Sequence, residues 1–117
     1  MSAKLPVSFI GLGALGAPMA ANVLAAGFPL TVQNRSAERV LPLQLQGAAV
    51  AATPAQAAAG ARFHALCLSD GAAVRSVMLG DQGLLAGAAS GGVIIDFSTI
   101  DTATTTELAG VAAAQGL

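Results

Sequence analysis

Phe9-Ile10-Gly11-Leu12-Gly13-Ala14-Leu15-Gly16 sets three glycines at the spacing G-x-G-x-x-G. A short apolar run precedes the pattern and an Ala-rich stretch with helical spacing follows it, so the glycines stand between a strand and a helix. In that frame each has a steric task. Gly11 makes a tight turn, Gly13 lets the backbone approach a diphosphate with no Cβ in the way, and Gly16 allows the helix to pack on the strand. The exposed amides of the loop, from Gly11 through Leu12, Gly13, Ala14 and Leu15 to Gly16, together with the positive end of the helix dipole, would hold the phosphates. A chain with 14 glycines can produce such spacing by chance in a loop. The strand–loop–helix context weighs against chance here.

Which dinucleotide would be bound turns on Thr31-Val32-Gln33-Asn34-Arg35-Ser36, at the end of the second apolar run. A site preferring NAD usually has Asp or Glu there to accept hydrogen bonds from the ribose 2′-hydroxyl. No carboxylate precedes Glu38 in this segment. Asn34 is neutral, Arg35 can pair a 2′-phosphate through its planar fork, and Ser36 can add a hydroxyl and a backbone N–H. NADP is therefore favoured over NAD, against the plainer reading of Arg35 as a solvated residue at a helix start.

In a doubly wound sheet the ligand crevice lies beyond the carboxyl ends of the strands, which singles out two more segments. Leu66-Cys67-Leu68-Ser69-Asp70 ends one strand and Asp96-Phe97-Ser98-Thr99-Ile100-Asp101 ends another. Ser98 and Thr99 can donate to a carboxylate or carbonyl of a small substrate or reach the nicotinamide ribose. The same residue types also cap helices, and spacing does not separate the two roles. His64 is expected near the start of its strand, away from the crevice, as a core or surface histidine. Cys67 reads as a small buried hydrophobe, and Met19 and Met78 as core filling. No His, Cys, Asp and Glu cluster has metal-ligand spacing, and one histidine cannot complete a nucleophilic triad.

The elements that must position these residues alternate. Val7 to Ile10, Leu30 to Val32, Phe63 to Leu68 and Val93 to Phe97 read as strands, with a weaker one near Ala48 to Val50. Leu15 to Ala26, Ala37 to Leu45, Pro54 to Ala59, Ala72 to Leu79 and Thr104 to Ala114 read as helices. Val93-Ile94-Ile95 is apolar on both faces, as in a parallel sheet covered by helices on each side. The fold class is α/β, a doubly wound parallel sheet with strand order 3-2-1-4-5 in a single domain over 1–117. Gly27 is the expected stop of the first helix, and Ser36, Thr53 and Asp70 the expected N-caps. Pro18 belongs in or just past the first turn of the first helix, where a missing N–H costs little.

Composition narrows the possible partners. With 117 residues, 55% hydrophobic and 9% charged, the chain can bury one core and is not a disordered tail. Five Lys and Arg against six Asp and Glu leave no basic patch for a nucleic acid. The mean hydropathy is +0.72, yet Pro6, Pro18 and Pro29 interrupt the uncharged stretch between Lys4 and Arg35, so no membrane span is expected. One cysteine cannot form an internal disulfide, and a cytoplasmic location is the default.

The ordered set of motifs resembles the β-hydroxyacid dehydrogenases, which include 3-hydroxyisobutyrate dehydrogenase and tartronate semialdehyde reductase, and whose coenzyme domain is like that of 6-phosphogluconate dehydrogenase. The resemblance rests on the glycine loop continuing through Gly16-Ala17-Pro18-Met19-Ala20-Ala21-Asn22, then Asn34-Arg35-Ser36, Leu68-Ser69-Asp70, the Gly80-Asp81-Gln82-Gly83-Leu84-Leu85 turn and Asp96-Phe97-Ser98-Thr99. Thr99-Ile100-Asp101 and Thr104-Thr105-Thr106-Glu107-Leu108 are most similar to the glyoxylate and succinic semialdehyde reductase branch. The resemblance implies that Gly11 to Gly16 with Asn34 and Arg35 hold NADP(H), that Leu68 and Thr99 touch its nicotinamide half, and that Ser98 helps hold a small aldehyde or hydroxy acid. It implies further strands, a helix with a catalytic lysine and an all-helical second domain, none of which lies in these residues. Lys4 is at the wrong end to serve. The chain alone is thus expected to bind coenzyme and turn nothing over, to leave Val93 to Phe97 uncovered, and to self-associate as a homo-oligomer. The alternative is a nucleotide-binding module without catalytic activity.

Overall fold

The computed structural model describes residues 4–117. In chain order the elements are β1 (Val7–Ile10), α1 (Gly16–Ala25), β2 (Leu30–Gln33), a 3-10 turn (Ala37–Arg39), α2 (Leu41–Leu45), β3 (Ala49–Val50), α3 (Pro54–Ala58), β4 (Phe63–Leu66), α4 (Gly71–Leu79), α5 (Leu84–Gly87), β5 (Val93–Asp96) and α6 (Thr102–Ala114). The strands form one parallel sheet, as the alternation of elements predicts, in the order β3-β2-β1-β4-β5 expected for the dinucleotide-binding class.

All four residues of β1 are buried, because helices cover the centre of the sheet on both faces. Val7 and Phe9 join Leu30, Val32 and Ala65 under Ala20 of α1 and Leu43 of α2. Ile10 and Leu66 point the other way, into a second cluster with Ala57, Ala58, Val74, Met78, Leu84, Leu85, Leu108 and Ala112 from α3 to α6. Cα pairing sets Ile10, Gln33, Leu66 and Asp96 in one row. The chain therefore leaves the sheet at one level, and Gly11, Asn34, Cys67 and Phe97 begin a common rim. β2 and β4 flank β1, so the strand order reverses there and the crevice opens between their ends.

Local signals decide most boundaries. The Thr53 hydroxyl accepts the Gln56 N–H at 3.1 Å ahead of Pro54, and the Asp70 carboxylate accepts the Ala73 N–H at 2.8 Å. Gly27, at φ +92°, ends the first helix in the left-handed region that suits glycine. Pro18 is the third residue of α1, within the turn whose amides lack partners anyway. Several expectations shift. The helix expected over Ala37 to Leu45 divides into the 3-10 turn and α2, with Pro42 near the start of the latter where its ring is tolerated. The Ser36 hydroxyl does not cap this turn; it donates to the Glu38 carboxylate at 3.1 Å. Asp101 caps α6 at Thr102, two residues earlier than expected. The segment read as a turn contains α5, whose Leu84 and Leu85 are buried and whose Gly87 lies against the Ala55 carbonyl too closely for any Cβ.

β5 is covered on one face only. Val93 and Ile95, with Phe97 beyond them, are 45%, 41% and 44% exposed. Only Ile94 packs against a cluster, so the apolar run lacks the covering on both faces that it suggests by itself, and the uncovering that the resemblance implies for Val93 to Phe97 is found on one face.

Candidate dinucleotide-binding site

The glycine loop is shaped by contacts that a Cβ would break. Gly11 has φ +98°, and a Cβ there would sit 2.2 Å from the Cys67 carbonyl oxygen at the end of β4. A Cβ on Gly16 would sit 2.0 Å from the Gly11 carbonyl, so that glycine holds α1 against the loop. Gly13 differs. No atom lies within 4 Å of where its Cβ would point, and the residue is exposed. The amides of Gly13, Ala14 and Leu15 donate to nothing among the described residues. Open space above a row of unpaired N–H groups at a helix start is the arrangement a diphosphate fits.

The crevice beside this loop has a volume of about 690 Å³. Gly11 and Gly13 line it from β1, Asn34, Arg35 and Ser36 from β2, and Leu68 and Ser69 from β4. Arg35 is exposed, with no ion-pair partner among the described residues. Other expected residues lie elsewhere. Leu12 is fully buried, with its side chain in the core. Ala14 and Leu15 project from the start of α1 into solvent, Leu15 at 62% exposure. Ser98 and Thr99 stand outside the lining. The Ser98 hydroxyl accepts the Leu68 N–H at 2.8 Å, while the Ser98 N–H donates to Asp96 at 2.9 Å. Ser98 thereby ties the rim of β4 to that of β5.

Sequence reasoning missed part of the wall. Ala52 and Pro54 follow β3, so the rule about carboxyl ends that flagged the other strands would have found them. Ala73, Ser76, Val77 and Gly80 also line the crevice, at the spacing of one helix face. Cys67 is half-buried at the rim and not sunk in the core as expected. Burial first, then the Asp96 charge, push its thiol above the ordinary value, which favours the protonated form. His64 is fully buried in the second position of β4, toward the end of the sheet away from the crevice. Among the described residues no group of three or more potential metal ligands converges, and no helix is long and apolar enough to cross a membrane.

A family described as the NAD binding domain of 6-phosphogluconate dehydrogenase matches residues 6–117. The chain belongs to that family. Among relatives of this NAD-binding domain, a 3-sulfolactaldehyde reductase of Escherichia coli (strain K12) is 43% identical over 102 residues, covering 87% of this chain and 34% of that protein. The solved Mycobacterium tuberculosis 3-hydroxyisobutyrate dehydrogenase with L-serine superimposes with a TM-score of 0.90 at 29% identity, over 97% of this chain and 38% of that one. Psf3, solved in complex with NADP+ and 2-OPP, gives 0.87 at 36% identity over 94% and 39%. The chain spans about a third of the length of the 3-sulfolactaldehyde reductase and 3-hydroxyisobutyrate dehydrogenase relatives it matches, and about a fifth of others. It is a Rossmann domain of the NAD-binding family, similar to the corresponding domains of hydroxyacid dehydrogenase-like oxidoreductases.

Proposed function

We propose that this NAD-binding family member is the NADP(H)-holding part of a reductase that acts on a small aldehyde acid or 3-hydroxy acid. The observation that carries the NADP preference is Arg35: an exposed guanidinium without an ion-pair partner among the described residues, on the crevice wall beside Ser36. The loop amides from Gly13 to Leu15 take the diphosphate and Arg35 takes the 2′-phosphate. Ser69 and Leu68 bound the nicotinamide end, and Thr99 and Ser98 lie at the rim next to it. A bound nicotinamide coenzyme supplies hydride chemistry. Everything else is binding and orientation by this chain's backbone. Relatives named for 3-sulfolactaldehyde and 3-hydroxyisobutyrate support the substrate class.

Proton delivery is a different matter. Lys4, the sole lysine, donates to the Ala26 carbonyl and lies over the Phe28 ring at the far end of α1. With His64 buried as well, these residues bind coenzyme and turn over no aldehyde by themselves. Titration calorimetry with NADPH and NADH tests the reading. The chain should prefer NADPH, and Arg35→Ala should weaken NADPH about 10-fold or more while leaving NADH unchanged, as expected for a lost charged hydrogen bond. Equal affinity of the unaltered chain for both coenzymes would overturn it.

A further inference from the structure

The position that ends β2 is where this fold usually puts an acidic residue on the coenzyme ribose. Here it is Asn34, and both ends of its amide are engaged by the protein. Its Oδ1 accepts the Leu12 N–H at 2.9 Å, across 22 residues of chain, and its Nδ2 donates to the Ser36 carbonyl at 3.1 Å. The orientation of the amide is dictated by these partners: an N–H needs the oxygen and a carbonyl needs the nitrogen, so a flipped amide would lose both bonds. Beside it the Gly11 N–H donates to the Gln33 carbonyl at 3.1 Å, so the two loops are joined at two consecutive steps. The Leu12 side chain is fully buried and anchors the loop from below.

We infer that Asn34 is a positioning residue that locks the glycine loop to the β2 rim, fixing the diphosphate cradle and Arg35 at a set separation, and does not itself select the coenzyme. This inference rests on the proposed dinucleotide site and deepens it. Only an amide serves both bonds. Aspartate keeps an acceptor for Leu12 but turns a lone pair toward the Ser36 carbonyl, and a shorter side chain spans neither gap. Recognition then divides between neighbours. Asn34 governs how well any dinucleotide sits, and Arg35 governs which one.

The test combines coenzyme titration with amide exchange in the coenzyme-free chain, followed by NMR. Asn34→Ala should weaken NADPH and NADH together, each about tenfold, leaving their ratio within about twofold of the original. Arg35→Ala should change the ratio. Without coenzyme, Asn34→Ala should lower protection of the Leu12 amide about tenfold or more, whereas Ala65 in β4 keeps its protection; Asn34→Asp should restore Leu12. Asn34→Ser carries the same expectation should the alanine variant fail to fold. Loss of NADPH affinity alone would make Asn34 a 2′-phosphate ligand and overturn the inference. So would a Leu12 amide as protected in Asn34→Ala as before. If the unaltered chain binds neither coenzyme, the dinucleotide reading falls, while Leu12 exchange still decides whether Asn34 locks the loop.

Discussion

Two parts of one sheet are finished to different degrees. Where β1, β2 and β4 end, backbone and side chains interlock: Gly11 fits under the Cys67 carbonyl, Gly16 under that of Gly11, and Asn34 joins two loops. On the outward face of β5, Val93, Ile95 and Phe97 stand over 40% exposed beside a groove of about 430 Å³ floored by Val7, Phe9 and Ala65. α1 and α2 cover β1 and β2 on that face, while the later helices all contribute to the cluster on the opposite face. The rim owes its shape to short-range steric and hydrogen-bond demands, which tolerate almost no added atom. The β5 face owes its state only to which helices reach it, so changes there should move association and leave the fold intact.

The sharpest way to break this contrast is at the glycines. Gly11→Ala meets both a positive φ and a backbone carbonyl that cannot swing aside, and should cost about 3 kcal/mol or more in denaturant unfolding. Gly13→Ala has open space and should stay within about 0.5 kcal/mol in the same measurement, yet weaken coenzyme binding by filling the diphosphate's place. Equal destabilisation by the two changes would show that the rim is not interlocked as described.

A smaller effect is expected at His64, which belongs to neither region, at the end of β4 away from the crevice. Its Nδ1 is 2.9 Å from the Ser8 hydroxyl, and its Nε2 is buried with no partner among the described residues. Burial holds its pKa below the ordinary 6.5. The unfolded chain therefore takes up the proton first. Stability from the neutral imidazole is complete above about pH 6.5 and declines as pH falls through and below that value. Denaturant midpoints should drop between pH 7.5 and pH 5, and His64→Leu should flatten that slope; an unchanged slope would assign the acid sensitivity to other groups.

The smallest change in stability is expected at the bare face. Phe97→Ser should alter unfolding by about 0.5 kcal/mol or less. Its readout is association: the unaltered chain should self-associate at high concentration, and Phe97→Ser should shift sedimentation toward monomer. A unaltered chain that sediments as a monomer throughout would show that exposed Val93, Ile95 and Phe97 do not draw copies together.

Much of this molecule was legible because its signals are local. Strand–loop–helix order around Gly11, Gly13 and Gly16, caps at Thr53 and Asp70, and a glycine stop at Gly27 depend on a few consecutive residues; alternating apolar runs gave the α/β class, and the glycine loop pointed to the strand order that goes with dinucleotide binding. Less could be read where distant segments meet. Nothing near Asn34 announces that its amide will find the Leu12 N–H, and nothing near Ser98 announces the Leu68 N–H, since each bond requires a parallel neighbour brought alongside by a helical crossover. The half-buried state of Cys67 likewise depends on which helices pack where, as does the choice of which face of β5 stays bare; that the strand would lose covering was implied by the resemblance to longer enzymes. Local chemistry wrote the turns, the caps and the order of elements into the chain; only the packed sheet decided which rim residues grip one another and which apolar side chains remain in water, because those outcomes depend on distances between segments far apart in sequence.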